Sequence, residues 1–99
     1  MDENKKQFNI NLPAEVAEGT YSNLAIISHS QSEFIVDFIR VMPGLEKANV
    51  KSRVILTPEH AKRLLMALQE NIDKFESEHG IIATGSKMSF GFNAPKGDA

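Results

Sequence analysis

The residues best suited to chemistry are the histidines and the carboxylates near the first of them. His29, Glu33 and Asp37 could share one face of a predicted hairpin and form a weak metal site. A polar rim at a hairpin end explains the same three residues, and we favour it because such trios are unspecific. His60 and His79 fall in the first and last turns of a predicted helix, where structural roles suffice.

The serines lack the sequence context of a nucleophile. None lies in a Gly-x-Ser-x-Gly elbow, and none has a base linked to it by a motif. Gly85-Ser86-Lys87 matches only part of a phosphate-loop pattern, and no strand-loop-helix unit frames it. The carboxylates are scattered and form no evident acid–base pair. The sequence therefore predicts no enzyme, no catalytic or metal site, no cofactor and no small-molecule substrate.

A local excess of positive charge is the clearest remaining binding signal. Residues 40–63 contain six basic and two acidic side chains, whereas the whole chain has a net charge of -2. The candidate contacts to phosphate or to an acidic partner are Arg40, Lys51, Arg53, Lys62 and Arg63. Protection of an exposed strand edge by basic side chains explains the same pattern and is favoured. No aromatic side chains alternate with these residues, which weakens single-strand nucleic-acid binding.

Length and composition predict one cytoplasmic domain. The chain has 99 residues, of which 41% are hydrophobic, and contains no cysteine. The lack of cysteine excludes disulfides, thiolate nucleophiles and cysteine-based zinc sites, and it suits a reducing compartment. Residues 1–7 are polar, so we expect no signal peptide there. No apolar run approaches the roughly 20 residues of a membrane span, so we expect no membrane contact.

The order of apolar periodicities predicts an α+β fold. Alternation indicates strands at residues 8–12, 20–30, 33–42 and 50–56, separated by Pro13, Gly19, the polar break at residues 30–32 and Pro43-Gly44. We therefore expect an antiparallel meander of three to four short strands. One long amphipathic C-terminal helix should then pack on one face of this sheet.

The two middle strands form a hairpin about Gln31 in our predicted register. This register gives one face the apolar residues Leu24, Ile26, Phe34, Val36 and Phe38. The opposite face mixes apolar and polar residues. The candidate partner-binding residues are Ile27, Ile35 and Ile39 on this face, together with Ile55 of the last strand. A slip of one residue would exchange the faces of a strand.

The helix has the strongest local signals. Thr57 is suited to the N-cap and Pro58 to the first helical position, while Gly80 is suited to the C-terminal end. An apolar stripe follows at spacings of three and four: Ala61, Leu64, Leu65, Leu68, Ile72 and Phe75. About 22 residues span about 33 Å at roughly 1.5 Å per residue. That length exceeds a strand of about 17–20 Å, so we expect the helix to overhang the sheet.

The apolar residues left over predict association with another protein. One helix covers only one sheet face, and an overhanging helix leaves part of its stripe uncovered. Exposed apolar patches often mark contact surfaces, and a symmetric dimer is the commonest outcome. In the alternative, the C-terminal tail or residues 14–19 cover the patch.

The domain boundaries follow from composition. We expect a flexible arm at residues 1–7, one α+β domain at residues 8–81 and a flexible tail at residues 82–99, which contains three glycines and one proline. Met88, Phe90 and Phe92 alternate inside the tail and could add a strand to a partner's sheet. A flexible end is favoured for residues this close to a terminus.

Three groups of residues carry a family resemblance. They are Glu18-Gly19-Thr20-Tyr21-Ser22-Asn23, Ser32-Glu33-Phe34 with Asp37-Phe38, and Val54-Ile55-Leu56-Thr57-Pro58-Glu59-His60-Ala61. Over residues 8–76 the chain resembles the bacterial family called domain of unknown function 3467. The resemblance implies a recurring domain in a bacterial cytoplasm and carries over no activity or catalytic residue. From the uncovered apolar faces we expect a non-enzymatic interaction module, either a homodimer or an accessory subunit. The basic segment supports the alternative, a nucleic-acid-associated or transcription accessory role.

Overall fold

The sheet is a three-stranded antiparallel meander. The computed structural model describes residues 8–44 and 46–85, with β1 at Leu24–His29, β2 at Phe34–Ile39 and β3 at Val50–Leu56. The strand order is β1-β2-β3, so β2 is central and the other two are edges. A short helix, α1 (Ala14–Ala17), precedes the sheet, and α2 (Pro58–His79) follows it. The predicted fold class is thereby confirmed.

Residues 8–12 do not form the additional strand that their alternation predicts. Phe8, Ile10 and Leu12 lie outside regular structure and are 81%, 89% and 67% exposed. Alternation is insufficient where no neighbouring strand supplies hydrogen-bond partners. The predicted strand segment at residues 88–92 and most of the predicted tail lie outside the described residues.

The hairpin register differs by one residue from the predicted one. Leu24 pairs with Ile39 and His29 with Phe34, because four loop residues separate β1 from β2 and Ser30 N–H donates to the Glu33 carbonyl. The shift moves every β1 side chain to the other face relative to β2. The face that we call the Asp37 face therefore carries Leu24, Ile26, Ser28, Ile35, Asp37, Ile39, Arg53 and Ile55. The Phe38 face carries Ala25, Ile27, His29, Phe34, Val36, Phe38, Ser52, Val54 and Leu56.

A β-bulge interrupts the pairing of β2 with β3. Phe38 pairs with Ser52 and Ile39 with Val50, so Lys51 is the additional residue on β3. The bulge places Val50 beside Ile39, whereas strict alternation predicts that it shares a face with Val54.

The centre of packing lies on the Asp37 face. Among the described residues only Ile39 and Asp37 are buried, at 6% and 3% exposure. Ser22 and Asn23 form side-chain hydrogen bonds at the adjacent end of the sheet. The Ser22 hydroxyl donates to the carbonyl of Ile39 at 3.0 Å, and the Asn23 side chain pairs with both the N–H and the carbonyl of Val41. The Asn23 amide thus extends the ladder beyond β2 by imitating a strand backbone.

Helix α2 begins and ends where the sequence predicts. Thr57 accepts the N–H of His60 at 3.1 Å as the N-cap, and Gly80 ends the helix with a φ of 97°. However, no residue of α2 is buried. Among the described elements, extensive contact is confined to the two strand pairs. Thr57 alone connects β3 to α2, and strand-to-helix connections usually need about 2–6 residues to turn a helix back onto a sheet. The structure therefore leaves the helix stripe largely uncovered, where the sequence predicts packing on a sheet face.

Candidate interaction site

One face of α2 is apolar and largely uncovered. We call it the α2 stripe, and its members are Ala61, Leu64, Leu65, Leu68, Ile72 and Phe75. Leu64 is 45% exposed, Leu65 62%, Leu68 55% and Phe75 50%. Full burial of one such side chain is worth about 1.5–3 kcal/mol. The stripe is therefore an exposed apolar surface that runs along α2 from Ala61 to Phe75.

The predicted isoleucine patch on the sheet is only partly present. Ile35, Ile39 and Ile55 share the Asp37 face, but Ile27 lies on the Phe38 face, so its assignment to the patch is wrong. The cause is the one-residue shift of β1. Ile39 is buried within the single chain, whereas Ile55 is 59% exposed. The part of this patch that is open to a partner is therefore the Ile55 end.

An ion pair occupies the middle of the Asp37 face. Arg53 Nε and Nη2 donate to the two carboxylate oxygens of Asp37 at 2.6 and 2.8 Å. The Asp37 side chain is 4% exposed and that of Arg53 is 55% exposed. The hydrogen bonds from Arg53 lower the pKa of Asp37, and this effect outweighs the burial of the carboxyl, which would raise it. The same contact raises the pKa of Arg53.

The structure divides the predicted basic residues into separate groups. Arg40 and Lys51 line one small cleft together with Lys47, beside Asn49 and Met42, at the end of the sheet where β3 begins. Lys62 and Arg63 lie on α2, beyond the other end of β3. Arg63 forms an ion pair with Glu59, and Arg53 binds Asp37. The five residues predicted as one patch therefore do not converge, because β3 itself separates them.

His29, Glu33 and Asp37 do not form a metal site. His29 stacks on Phe34 at 5.3 Å on the Phe38 face, while Asp37 points to the other face. Within residues 8–44 and 46–85, no three histidine or carboxylate side chains are grouped as metal ligands. The prediction that His29 and Asp37 share a face is wrong, because the one-residue shift of β1 moves His29, like Ile27, to the Phe38 face.

A shallow depression on the Phe38 face has no ionisable side chain in its lining. It is lined by Thr20, Ser22, Phe38, Ser52 and Val54. The Ser22 hydroxyl lies 3.0 Å from the carbonyl oxygens of both Leu24 and Ile39, which share its single proton. A nucleophilic serine needs an adjacent base, and this lining supplies none.

Two structural roles were not predicted from the sequence. Ser22 and Asn23 belong to the first family segment, and they bind backbone groups of residues that follow them by 17 and 18 positions, respectively. Asp37 was assigned to a polar rim at the hairpin end, but it binds Arg53 from the neighbouring strand. A single acidic residue between Val36 and Phe38 in an apolar strand is the signal that pointed to a buried partner.

The chain is a small α+β domain with a largely uncovered apolar stripe on α2. The chain belongs to the family described as "Protein of unknown function (DUF3467)", whose model matches residues 1–84. The resemblance seen in the sequence is thus confirmed. No curated protein and no solved structure matches the chain. In the part of the chain that the structure describes, no helix has both the length and the apolar character needed to cross a membrane.

Proposed function

We propose that this domain is a non-enzymatic protein-interaction module that works as a homodimer or as an accessory subunit of a larger bacterial complex. The observation that carries the proposal is the uncovered α2 stripe, whose leucines are 45–62% exposed in a single copy. Large exposed apolar patches on a folded domain mark contact surfaces. The cytoplasm is the setting we assign, since a chain without cysteine suits a reducing compartment.

The small extent of the core supports an association that also stabilises the fold. Ile39 is the one buried hydrophobic residue among the described residues, and it remains 6% exposed. Ordering each residue costs about 1–2 kcal/mol of backbone entropy, which must be offset by burial of apolar surface. A partner that covers the α2 stripe adds such burial, and it thereby couples folding to binding.

The molar mass in solution tests this proposal. We expect size-exclusion chromatography with light scattering to give a mass of about twice 11.0 kDa, because a second copy is the commonest partner of such a surface. The midpoint of thermal unfolding should rise with protein concentration, since dimerisation stabilises the folded state by mass action.

An 11.0 kDa species with a concentration-independent midpoint and a cooperative transition would contradict the proposal. An accessory subunit without its partner should instead unfold with poor cooperativity. The two versions of the proposal are therefore distinguished by the same two measurements.

A second candidate function is nucleic-acid association, as in transcription accessory work. It is supported by the cleft that Arg40, Lys47 and Lys51 line together. Three cations beside one another bind phosphate through counterion release, so the affinity should fall steeply with salt. The division of the other basic residues makes this candidate weaker than the first.

An electrophoretic mobility shift at low salt tests the second candidate. Replacing Arg40 and Lys51 with glutamate should abolish any shift, because both line the cleft. The matched control is Arg63→Glu together with Lys74→Glu, which changes the charge equally but on the outer side of α2. Absence of a shift for the unmodified chain, or equal loss in both double variants, would dismiss the cleft as a phosphate site.

A further inference from the structure

We infer that the occupant of the α2 stripe is the α2 helix of a second copy, packed antiparallel about a twofold axis between Leu68 and Ile72. This inference rests on the proposed function and specifies its geometry. Three features of α2 lead to it: the period of the stripe, the taper of its side chains and the charges along its edge.

The period of the stripe is that of a helix-pairing seam. Ala61, Leu65, Leu68, Ile72 and Phe75 are separated by alternating steps of four and three residues. An apolar repeat of this kind averages 3.5 residues, which keeps a continuous line of side chains against a second helix. Leu64 lies beside this line and widens the stripe, but the regular repeat of the other five residues favours a helix as the partner.

The size of the side chains changes along the seam. The N-terminal end has Ala61, and the C-terminal end has Phe75 followed by His79, with ring centroids 4.7 Å apart. In a parallel pair the two alanines would face each other across a gap while the rings crowded at the other end. In an antiparallel pair each narrow end meets a wide end, which gives the even packing that interiors require.

Complementary charges flank the same edge of the seam. Lys62, Gln69 and Glu76 recur every seven residues, so they form one row. In the antiparallel pair, Lys62 lies opposite Glu76 of the second copy and the two Gln69 side chains meet near the axis. In a parallel pair, Glu76 would lie beside Asn71 of the second copy, and the charges would have no partners. Edge charges of this kind set the orientation of paired helices.

Glu76 is already held in place for such a contact. Its Oε2 accepts the N–H of Ile82 at 2.9 Å, and the residue is half-buried although it is charged. A carboxylate has further lone pairs, so it can accept a lysine as well. Lys62 is exposed at the other end of the same row.

Charge reversal tests the orientation. Lys62→Glu or Glu76→Lys alone should raise the dimer dissociation constant about tenfold, since each removes two attractions and creates two repulsions. The double variant exchanges the charges and should bind within about threefold of the unmodified chain. Sedimentation equilibrium of the full chain measures these constants, and Lys74→Glu, on the outer side of α2, is the control that should change nothing.

A double variant that dimerises no better than Glu76→Lys alone would overturn the antiparallel pairing. The comparison with that single variant also removes the effect of the lost Ile82 contact, because both variants lack it.

Cysteine crosslinking separates the failure of the orientation from the failure of dimerisation. The chain has no cysteine of its own, so an introduced thiol reports only its own neighbours. Gln69→Cys should form an intermolecular disulfide on mild oxidation, and Leu65→Cys should not, because it faces Phe75 of the second copy. A dimer in which only Leu65→Cys crosslinks would be parallel and would overturn this inference alone. A monomer in every variant and in the unmodified chain would overturn the proposed function as well.

Discussion

Replacing Leu68 with glutamate is expected to dissociate the proposed dimer into monomers. Leu68 is 55% exposed in a single copy, so the substitution costs little within one chain. At the middle of the seam it removes two leucines per dimer, each worth about 1.5–3 kcal/mol of burial, and brings two carboxylates close together. The dissociation constant should therefore rise by at least about a hundredfold. Light scattering across a dilution series measures this change.

The matched control for this variant is Ala67→Glu. Ala67 neighbours Leu68 in sequence but lies outside the stripe, and it is exposed. The control adds the same charge to the same turn of α2. If Ala67→Glu still dimerises and Leu68→Glu does not, the contact lies on the stripe. Dimers that persist equally in both variants would place the interface elsewhere on the molecule.

Loss of Arg53 is expected to give the second large effect, on stability. Arg53→Met keeps most of the aliphatic stem but removes both hydrogen bonds to Asp37. The carboxylate would then lie between apolar neighbours such as Ile35 and Ile39 without its donors. We expect a loss of about 1–2 kcal/mol in the free energy of unfolding. This value is in the lower part of the range for an unsatisfied buried group, because Arg53 is partly exposed and water screens its interaction with Asp37. Urea denaturation measures this loss.

The control for Arg53→Met is the double variant with Asp37→Leu. Removing both partners leaves no buried charge, so most of the lost stability should return. If the double variant is less stable than Arg53→Met, the ion pair is not the cause of the loss. In that case, the shape of Asp37 and Arg53 within the sheet would matter more than their charges.

The pH dependence of stability should change in the same variant. The folded pKa of Asp37 lies below its ordinary value of 3.8, so the pair contributes stability above pH 3.8 and loses it as the pH falls through the folded pKa. Without Arg53, burial raises the pKa, and the carboxyl is then most stable in its protonated form. The difference in stability between the two chains should therefore shrink on acidification. A difference that stays constant between pH 7 and pH 3 would contradict this account.

Local signals were enough to predict α2 and the order in which β1, β2, β3 and α2 follow one another. Thr57 and Pro58 fix the beginning of α2, Gly80 its end, and the spacing of the apolar residues its interior. Each of these signals acts within about one turn of chain, so no distant contact is needed to interpret it. Strand β3 was predicted at residues 50–56 and is found at Val50–Leu56. The turn at Pro43-Gly44 likewise has Gly44 at a φ of 86°.

Pairing between strands could not be predicted in the same way. One residue in the loop between β1 and β2 decides which face Ile27 and His29 occupy. Both strands have apolar residues on both faces, so the predicted and the observed registers were equally acceptable from the sequence. The bulge at Lys51 changed the environment of Val50 for a similar reason. The candidate metal site and the isoleucine patch both depended on this register, so both changed when it shifted.

The sequence by itself determined the family, the helix and the existence of an apolar stripe, because short-range physics and local patterns specify these. Only the tertiary structure decided that the stripe stays uncovered, that Arg53 is bound to Asp37 and that the basic residues separate. These facts depend on which residues distant in sequence come together. The one-residue connection at Thr57 also sets the direction of the whole helix, and composition does not specify that direction.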